Sequence, residues 1–467
     1  MPILAEPRDK TTEELPKRSA RVAAETEVLV VGGGPAGIGA ALGSAMAGAG
    51  TVLVERYGFL GGSPTVSLVD PIASFFTHSD IGILPPRFAL FPKDHGKGFP
   101  VEAGILEDLV VKLIQSGGAQ RPMQQNGYTV PFDPEKYKLA CMDLLDEAGV
   151  SVLLHSQASG YLDGRMPGVV FETKSGPILI RAKRIVDCTG DGDVAVWAGA
   201  PYEVGRSSDG FTQPMTLLFR VMDFNRRRFK SYVNGHPGEW DGVRGLWELI
   251  RKAAAQKQFR LPREDMLFFG SVHPREVNVN STRVTQVLGT NVWDLTKAEW
   301  DSRRQMQDIM QFLKEYVPGF EVSYVGQSGT GISVRETRRI MGDYVMNEKD
   351  VLEARKFDDA IAKGTYPVDE HNPTGRGTIL KDIPYNDNYE IPLRCLLPKG
   401  LDTMTIGGRC ISGTHIALSS YRVIPTSICT GQAAGACAAL SAKKNVSVHA
   451  VDFRDVRSTL LDQGADL

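Results

Sequence analysis

The clearest hydrophobic signal in the chain lies between positions 27 and 54. Glu27-Val28-Leu29-Val30-Val31 is a short β-branched run closed by glycines, which predicts a buried strand. An Ala-rich stretch at 38–48 predicts a helix, and Thr51-Val52-Leu53-Val54 predicts a second strand ending at Glu55. Strand, turn, helix and strand in this order open a parallel sheet. Positions 28–54 hold no charged residue and are long enough to cross a bilayer. The eight glycines and Pro35 inside that run suit a tight turn and a close-packed helix, not a helix in lipid. Glu25 and Glu27 abut the run, unlike the flank of a secretory leader.

Further along, the pattern predicts helices near 104–115 and over 134–148. In the second of these Leu139, Met142, Leu145 and Ala148 fall at helical spacing. Strands are expected at 150–154, 169–173, 178–180 and 185–188, while 60–130 is otherwise irregular. Residues 201–330 differ in texture, with Arg226-Arg227-Arg228, Trp240, Trp247, Trp293, Trp300 and a helix near 297–316. This stretch reads as a second domain inserted within the first, its aromatic residues forming a core. A strand at 403–406 leads into Gly407-Gly408-Arg409. A second charge-free run, 423–442, carries Gly431, Ala433, Ala434, Gly435 and Ala436, small enough for a helix to lie close on a sheet.

At 467 residues the chain has room for two large domains or three ordinary ones. With 42% hydrophobic and 23% charged residues it is globular, not disordered. Its 53 basic and 55 acidic residues nearly cancel, so neither a nucleic acid nor a membrane surface is an expected partner. Six cysteines without a CxxC pair suggest neither a disulfide framework nor a zinc site, and fit reduced thiols in a cytoplasmic protein. The histidines at 78, 95, 155, 236, 273 and 449 lack metal-ligand spacing, and no metal is expected.

Gly32, Gly34 and Gly37, with Pro35 and Ala36 between them, fit GxGxxG after a strand and at the start of a helix. The first glycine permits the turn, the second lets backbone approach a pyrophosphate, and the third lets helix meet strand. The helix start offers free N–H groups to the phosphates. Glu55, at the end of the next strand, is placed to accept hydrogen bonds from an adenosine ribose.

The run from Val28 through Glu55-Arg56-Tyr57-Gly58-Phe59-Leu60-Gly61-Gly62 resembles the two-dinucleotide-binding-domain flavoproteins, the glutathione-reductase-like FAD fold. More narrowly it is similar to the FAD-dependent oxidoreductases related to the fumarate reductase and succinate dehydrogenase flavoprotein. Asp187-Cys188-Thr189-Gly190-Asp191-Gly192-Asp193, Arg335-Glu336-Thr337-Arg338-Arg339, Gly408-Arg409-Cys410 and Gly431-Gln432-Ala433 agree with it. The resemblance implies an α/β protein whose Rossmann-like FAD-binding domain carries an inserted α+β substrate or cap domain. The implied divisions are an arm (1–24), the leading segment of the FAD domain (25–200, with an irregular insertion at 60–130) and a cap (201–330). A connecting, substrate-side segment (331–384), the closing segment of the FAD domain (385–445) and a tail (446–467) follow.

The resemblance also implies non-covalent FAD, since no histidine adjoins Gly61-Gly62-Ser63. Its contacts would come from Gly32, Gly34, Pro35, Ala36, Gly37, Glu55, Arg56, Gly61, Gly62, Ser63, Ala158, Gly190, Asp191, Gly408, Arg409, Gly431 and Ala433. Many relatives have Gly-Asp where this chain has Gly408-Arg409, a departure at the ribityl chain. No second complete glycine fingerprint is visible, so NAD(P)H is not an expected reductant. His415 and Arg422 are the leading catalytic candidates, as proton carrier and anion clamp, with Tyr421 and Arg335 next and His371 a weaker one. Each has a structural alternative: a turn cap for His415, an ion pair for Arg422, a paired surface for Arg335, Arg338 and Arg339. The expected activity is hydride transfer between a small organic substrate, anionic if Arg422 clamps it, and flavin N5. A non-redox flavoenzyme and an electron-passing subunit are the alternatives. The electron acceptor and oligomeric state have no signature.

Overall fold

Parallel pairing brings four strand ends to one edge of the main sheet. The computed structural model describes residues 3–4, 6–7, 12–14, 16–74, 76, 90, 102–123, 129–256 and 261–467. His78 and His95, with some of the arm and of the 60–130 insertion, lie outside these residues. Among them the main sheet has β1 (Arg21–Val31), β2 (Thr51–Val54), β3 (Ser151–Leu153), β4 (Gln157–Leu162), β5 (Gly168–Thr173), β6 (Gly176–Asp187) and β19 (Met404–Ile406). The order is β3-β2-β1-β6, and the second edge of β6 is shared. Its first half pairs antiparallel with the β4–β5 hairpin, and its last three residues pair parallel with β19. Val54 pairs with Val31, Val31 with Asp187, and Asp187 with Ile406. Gly32, Glu55, Cys188 and Gly407 therefore leave the sheet side by side, at the carboxyl edge where open α/β sheets hold ligands.

Two helices cover this sheet together. α1 (Pro35–Met46) packs along α11 (Ile424–Lys444), which lies over β1, β6 and β19. A Cβ at Gly431 or Gly435 would collide with the α1 carbonyl of Ala36 or Ala40. One at Gly39 or Gly43 would collide with the α11 carbonyl of Ile428 or Gln432. The helices thus touch backbone to backbone. Gly431 and Ala433, expected at the cofactor, are buried in helix packing instead.

The helix α2 (Ser63–Val66) follows the Gly61-Gly62 turn; α3 (Ile105–Gln115) and α4 (Pro134–Glu147) pack on each other. The buried face of α4 is Tyr137, Ala140, Cys141 and Leu145, whereas Leu139 and Met142 are exposed. Helical spacing fits both stripes, and bulk at Tyr137 decides for the one that fills the core. α5 (Asp193–Trp197) ends the first half, and β7 (Tyr202–Val204) pairs with β14 (Arg338–Ile340). Where the sequence predicts two strands at 178–188, β6 is continuous, because Arg181 and Arg184 send their guanidiniums to backbone carbonyls and Ser441.

Among the described residues a second, antiparallel sheet runs β13-β8-β12-β11-β10-β9. It comprises β8 (Phe219–Met222), β9 (Trp240–Asp241), β10 (Arg244–Gly245), β11 (Met266–Gly270), β12 (Glu276–Val279) and β13 (Tyr324–Ser328). With α6 (Arg226–Gly235), α7 (Trp247–Ala255) and α8 (Val292–Tyr316) it encloses its own core of Phe219, Phe224, Phe229, Trp240, Phe268, Phe312 and Phe320. Met266 and Phe268 point into that core, so Leu267 and Phe269 face the other way. The chain then returns through α9 (Glu348–Leu352), the pair β15 (Ala360–Gly364) and β18 (Tyr389–Pro392), and the hairpin β16 (Val368–His371) and β17 (Thr378–Lys381). α10 (His415–Tyr421) precedes α11, and α12 (Phe453–Asp462) packs on it.

All six cysteines are buried thiols. No single helix among the described residues is long and apolar enough to cross a membrane. Only α10 and α11 together reach that length, bent by 97°.

Helix contact at this distance leaves no room for side chains. Gly435→Val should lower stability by about 3 kcal/mol, the upper end of the usual overpacking range, measured by thermal or denaturant unfolding. A change below about 0.5 kcal/mol would contradict the packing.

Candidate active site

The carboxyl edge opens into a cavity of about 1130 Å³ that also reaches the second sheet and the β16–β17 hairpin. Single small-molecule sites run to roughly 1,000 Å³, so there is space for a dinucleotide and more. The three fingerprint glycines have separate reasons. Gly32 has φ +103°, and a Cβ there would strike the Cys188 carbonyl; at Gly37 it would strike the Gly32 carbonyl. Gly34 has φ −77°, open to any residue, and a Cβ there would meet nothing nearer than Gly62 Cα at 3.7 Å. Gly34 lines the cavity, so the protein itself gives no reason for a glycine there. An incoming ligand does.

Two helix starts open on the same cavity without a capping side chain. They are α1 at Gly34, Pro35 and Ala36, and α11 at Val423, Ile424 and Pro425. Their unpaired N–H groups and positive dipole ends suit a pyrophosphate and the electron-rich end of a reduced flavin. Buried Glu55 accepts from the Gly33 N–H at 2.6 Å and the Tyr57 N–H at 2.9 Å, and each oxygen keeps a lone pair for a ribose hydroxyl. Arg56, Gly62, Ser63, Ala158, Gly190, Asp191, Gly408 and Arg409 also line the cavity. Gly37 and Gly61 do not; the Gly61 N–H donates to the Gly33 carbonyl at 2.8 Å and holds the turn. Arg409, the departure from the family pattern, ion-pairs with Asp191 at 2.6 Å and donates to the Val334 carbonyl at 2.9 Å. Its Nε is buried with no partner in the protein, a donor left for a bound group. These residues fit FAD.

Beyond the nucleotide side, one wall carries Arg335, Arg422, Asp369 and His371. Arg335 donates to the Pro214 carbonyl at 2.7 Å and to Thr216 Oγ1, and among the described residues no carboxylate lies within ion-pair distance. Burial, with Arg422 nearby, pushes it down to about 9, so it stays charged at neutral pH. Arg422 donates to the Asp369 carbonyl at 3.0 Å and lies 3.6 Å from its carboxylate. Burial works to raise Asp369, but His371, Arg422 and Arg335 outweigh it and hold the carboxyl well below the usual range. His371 Nε2 is 3.3 Å from Asp369 Oδ2, and its Nδ1 is 3.2 Å from Thr378 Oγ1. Burial pushes His371 down to about 3, with Asp369 opposing and Arg335 and Arg422 reinforcing. An ionised Asp369 only accepts, so Nε2 carries the proton and Nδ1 accepts from the Thr378 hydroxyl. Asp70 lines another region of the cavity, and burial raises its carboxyl well above the usual range.

The other candidates go elsewhere. His415 is buried off the cavity wall, with Nδ1 2.7 Å from Glu336 Oε2 and Nε2 3.2 Å from Glu370 Oε1. With both nitrogens engaged it has none free for a substrate. Tyr421 is buried and donates to the Ile411 carbonyl at 3.1 Å. The three arginines expected as a paired surface separate: Arg335 to the cavity, Arg338 to Asp193, Arg339 to Glu336 and Glu203. Asp369 joins the candidates: Asp369 and His371, two apart on β16, share a face, a period readable in the sequence.

Gly34→Val should abolish flavin retention while the chain still folds, because only ligand space is filled. Gly37→Val should lose both. Flavin content and circular dichroism separate the two, and a fully loaded Gly34→Val protein would remove the pyrophosphate assignment. His371 adds a pH dependence. The unfolded chain takes up its proton near pH 6.5 while the folded site stays neutral to about pH 3, so stability is full above 6.5 and lost on acidification. Wild type should lose about 2 kcal/mol between pH 7 and pH 5 that His371→Asn does not, measured by urea unfolding.

A family model described as FAD dependent oxidoreductase matches residues 27–460. No curated protein matches the sequence. Among solved structures, a geranylgeranyl bacteriochlorophyll reductase-like protein from Thermoplasma acidophilum is 14% identical, with 95% of this chain and 84% of that one covered and a TM-score of 0.45. An anhydrotetracycline hydroxylase from Streptomyces rimosus is 11% identical over 94% and 66%, with a TM-score of 0.42. The flavin-dependent brominase Bmp2 is 11% identical over 94% and 83%, with a TM-score of 0.45. With its glycine turn, Glu55 and cavity as described, the chain belongs to the FAD dependent oxidoreductase family and is an FAD-dependent enzyme.

Proposed function

We propose that this enzyme transfers a hydride between a small organic carboxylate and flavin N5, with Arg335 and Arg422 binding the carboxylate and Thr378, His371 and Asp369 handling the proton. The observation that supports this most is Arg335: a half-buried guanidinium on the cofactor cavity whose hydrogen-bond partners among the described residues are uncharged. Against one ionised Asp369, Arg335 and Arg422 leave a surplus positive charge in a desolvated wall, and an anionic ligand would neutralise it. A subunit that only passes electrons has no use for such a site. Bound FAD supplies the hydride acceptor or donor.

The chain's own residues supply binding and proton transfer. Arg335 and Arg422 orient the substrate by its carboxylate. The Thr378 hydroxyl takes the substrate proton as its own proton moves to His371 Nδ1, and Asp369 steadies the resulting imidazolium. Substrate binding itself strengthens the base, since the carboxylate offsets the two guanidiniums that add to burial in keeping His371 neutral.

Small carboxylates added to the yellow protein should perturb the flavin spectrum, and substrates among them should bleach it anaerobically. Arg335→Ala and Arg422→Ala should weaken that binding by about 2–4 kcal/mol with flavin retained. Arg422→Lys should recover only a fraction, because a point charge does not reproduce a planar fork. Wild-type affinity in both alanine variants would overturn the anion site.

A further inference from the structure

The residues of the anion site come from three stretches far apart in sequence, and one buried imidazole touches all three. His415 Nδ1 faces Glu336, the residue after Arg335; its Nε2 faces Glu370, the residue between Asp369 and His371. His415 itself opens α10, and Arg422 is the C-cap of that same helix. Glu336 is fully buried, and also accepts from Arg339 Nη1 and from the Gln213 N–H at 3.0 Å. Gln213 Oε1 in turn accepts from the His371 N–H at 3.3 Å, a second tie between the same stretches. Alternation along β16 turns Glu370 to the side opposite Asp369 and His371, which face the cavity.

We infer that His415 is a positioning residue: it fixes Arg335, the Asp369–His371 pair and Arg422 at the mutual spacing the substrate anion requires, without touching the substrate. The inference rests on the anion site proposed above. Its geometry is demanding, because both partners are carboxylates in which ionised oxygens only accept. A bridging group must therefore donate at both ends, which a doubly protonated imidazole does. A glutamine amide donates at one end only. In His415→Gln its oxygen would face a Glu370 oxygen, and one arm of the brace would open. In His415→Gln/Glu370→Gln the two introduced amides can again pair end to end. The one at position 415 then donates to Glu336 and accepts from the one at position 370. Glu370→Gln alone keeps the bridge, since a neutral His415 can donate to Glu336 and accept from the new amide. Glu370→Ala removes the arm outright at a buried position, so Tm is read beside Kd.

The test uses FAD-loaded full-length protein and titrates oxalate, succinate and benzoate against the flavin spectrum, with flavin content and Tm measured beside it. For whichever of these wild type binds, His415→Gln and Glu370→Ala should raise Kd by about 10-fold or more, the low end of what loss of an orienting partner brings. Flavin content should stay at one per chain. Glu370→Gln should bind as wild type does, and the double glutamine variant should bind more tightly than His415→Gln alone. A role in stability only would lower Tm and leave Kd unchanged in His415→Gln and Glu370→Ala, and that result overturns the brace while the anion site stands. Should His415→Gln fail to fold, Glu370→Ala against Glu370→Gln decides by the same measure. If Arg335→Ala and Arg422→Ala leave Kd unchanged, or wild type binds none of the three acids, the anion site falls and the brace with it.

Discussion

The contact between α1 and α11 is the constraint from which the rest of the site follows. Four glycines, two on each helix, remove the side chains that would keep the backbones apart, and each helix then rests on carbonyls of the other. Held this closely over β1, β6 and β19, the helices both start at the carboxyl edge of the sheet, so two uncapped N-termini open on one cavity. A larger residue in the seam would push the helices apart and separate those two positive ends. The electrostatics at the cofactor is thus set by packing some distance behind it.

At the opposite wall the governing quantity is charge without solvent. Arg335 keeps its proton although burial pulls against it, and Asp369 keeps its charge because two guanidiniums and His371 surround it. Burial and the two guanidiniums keep the imidazole neutral far below its ordinary range, against the pull of Asp369. On the function proposed above, a negative ligand completes this wall and gives it selectivity that size alone does not provide. The neighbouring network of Arg339, Glu336, His415 and Glu370 solves the same problem without a ligand, alternating donors with acceptors until each buried charge is matched.

Local signals make the nucleotide half legible. The strand over 27–31, the glycine fingerprint and Glu55 are contiguous, and their chemistry depends on neighbours in sequence. Even there, Gly37, Gly61, Gly431 and Ala433 serve backbone packing, because small residues answer equally to a ligand and to another helix. The opposite wall of the cavity is less legible. Arg335 and Arg422 can be named, but nothing in one chain tells which of Arg335, Arg338 and Arg339 turns toward the cavity. The place of His415 beside Gly408 suggests the flavin, while its partners Glu336 and Glu370 lie 79 and 45 residues away and hold it off the cavity. The face of α4 escapes for a similar reason: periodicity offers two stripes, and only the tertiary core distinguishes them.

The shared edge of β6 has a consequence in time. Residues 176–187 are complete long before their last partner exists, since β19 begins at Met404, 217 residues after Asp187. At roughly 5–20 residues per second, a ribosome needs on the order of 10–40 s to cover that interval. Throughout it, the glycine turn has been synthesised and the sheet that presents it lacks an edge, and α11 has not emerged. A nascent chain of this protein therefore reaches its flavin late, and until then an unfilled strand edge is the region most in need of shelter.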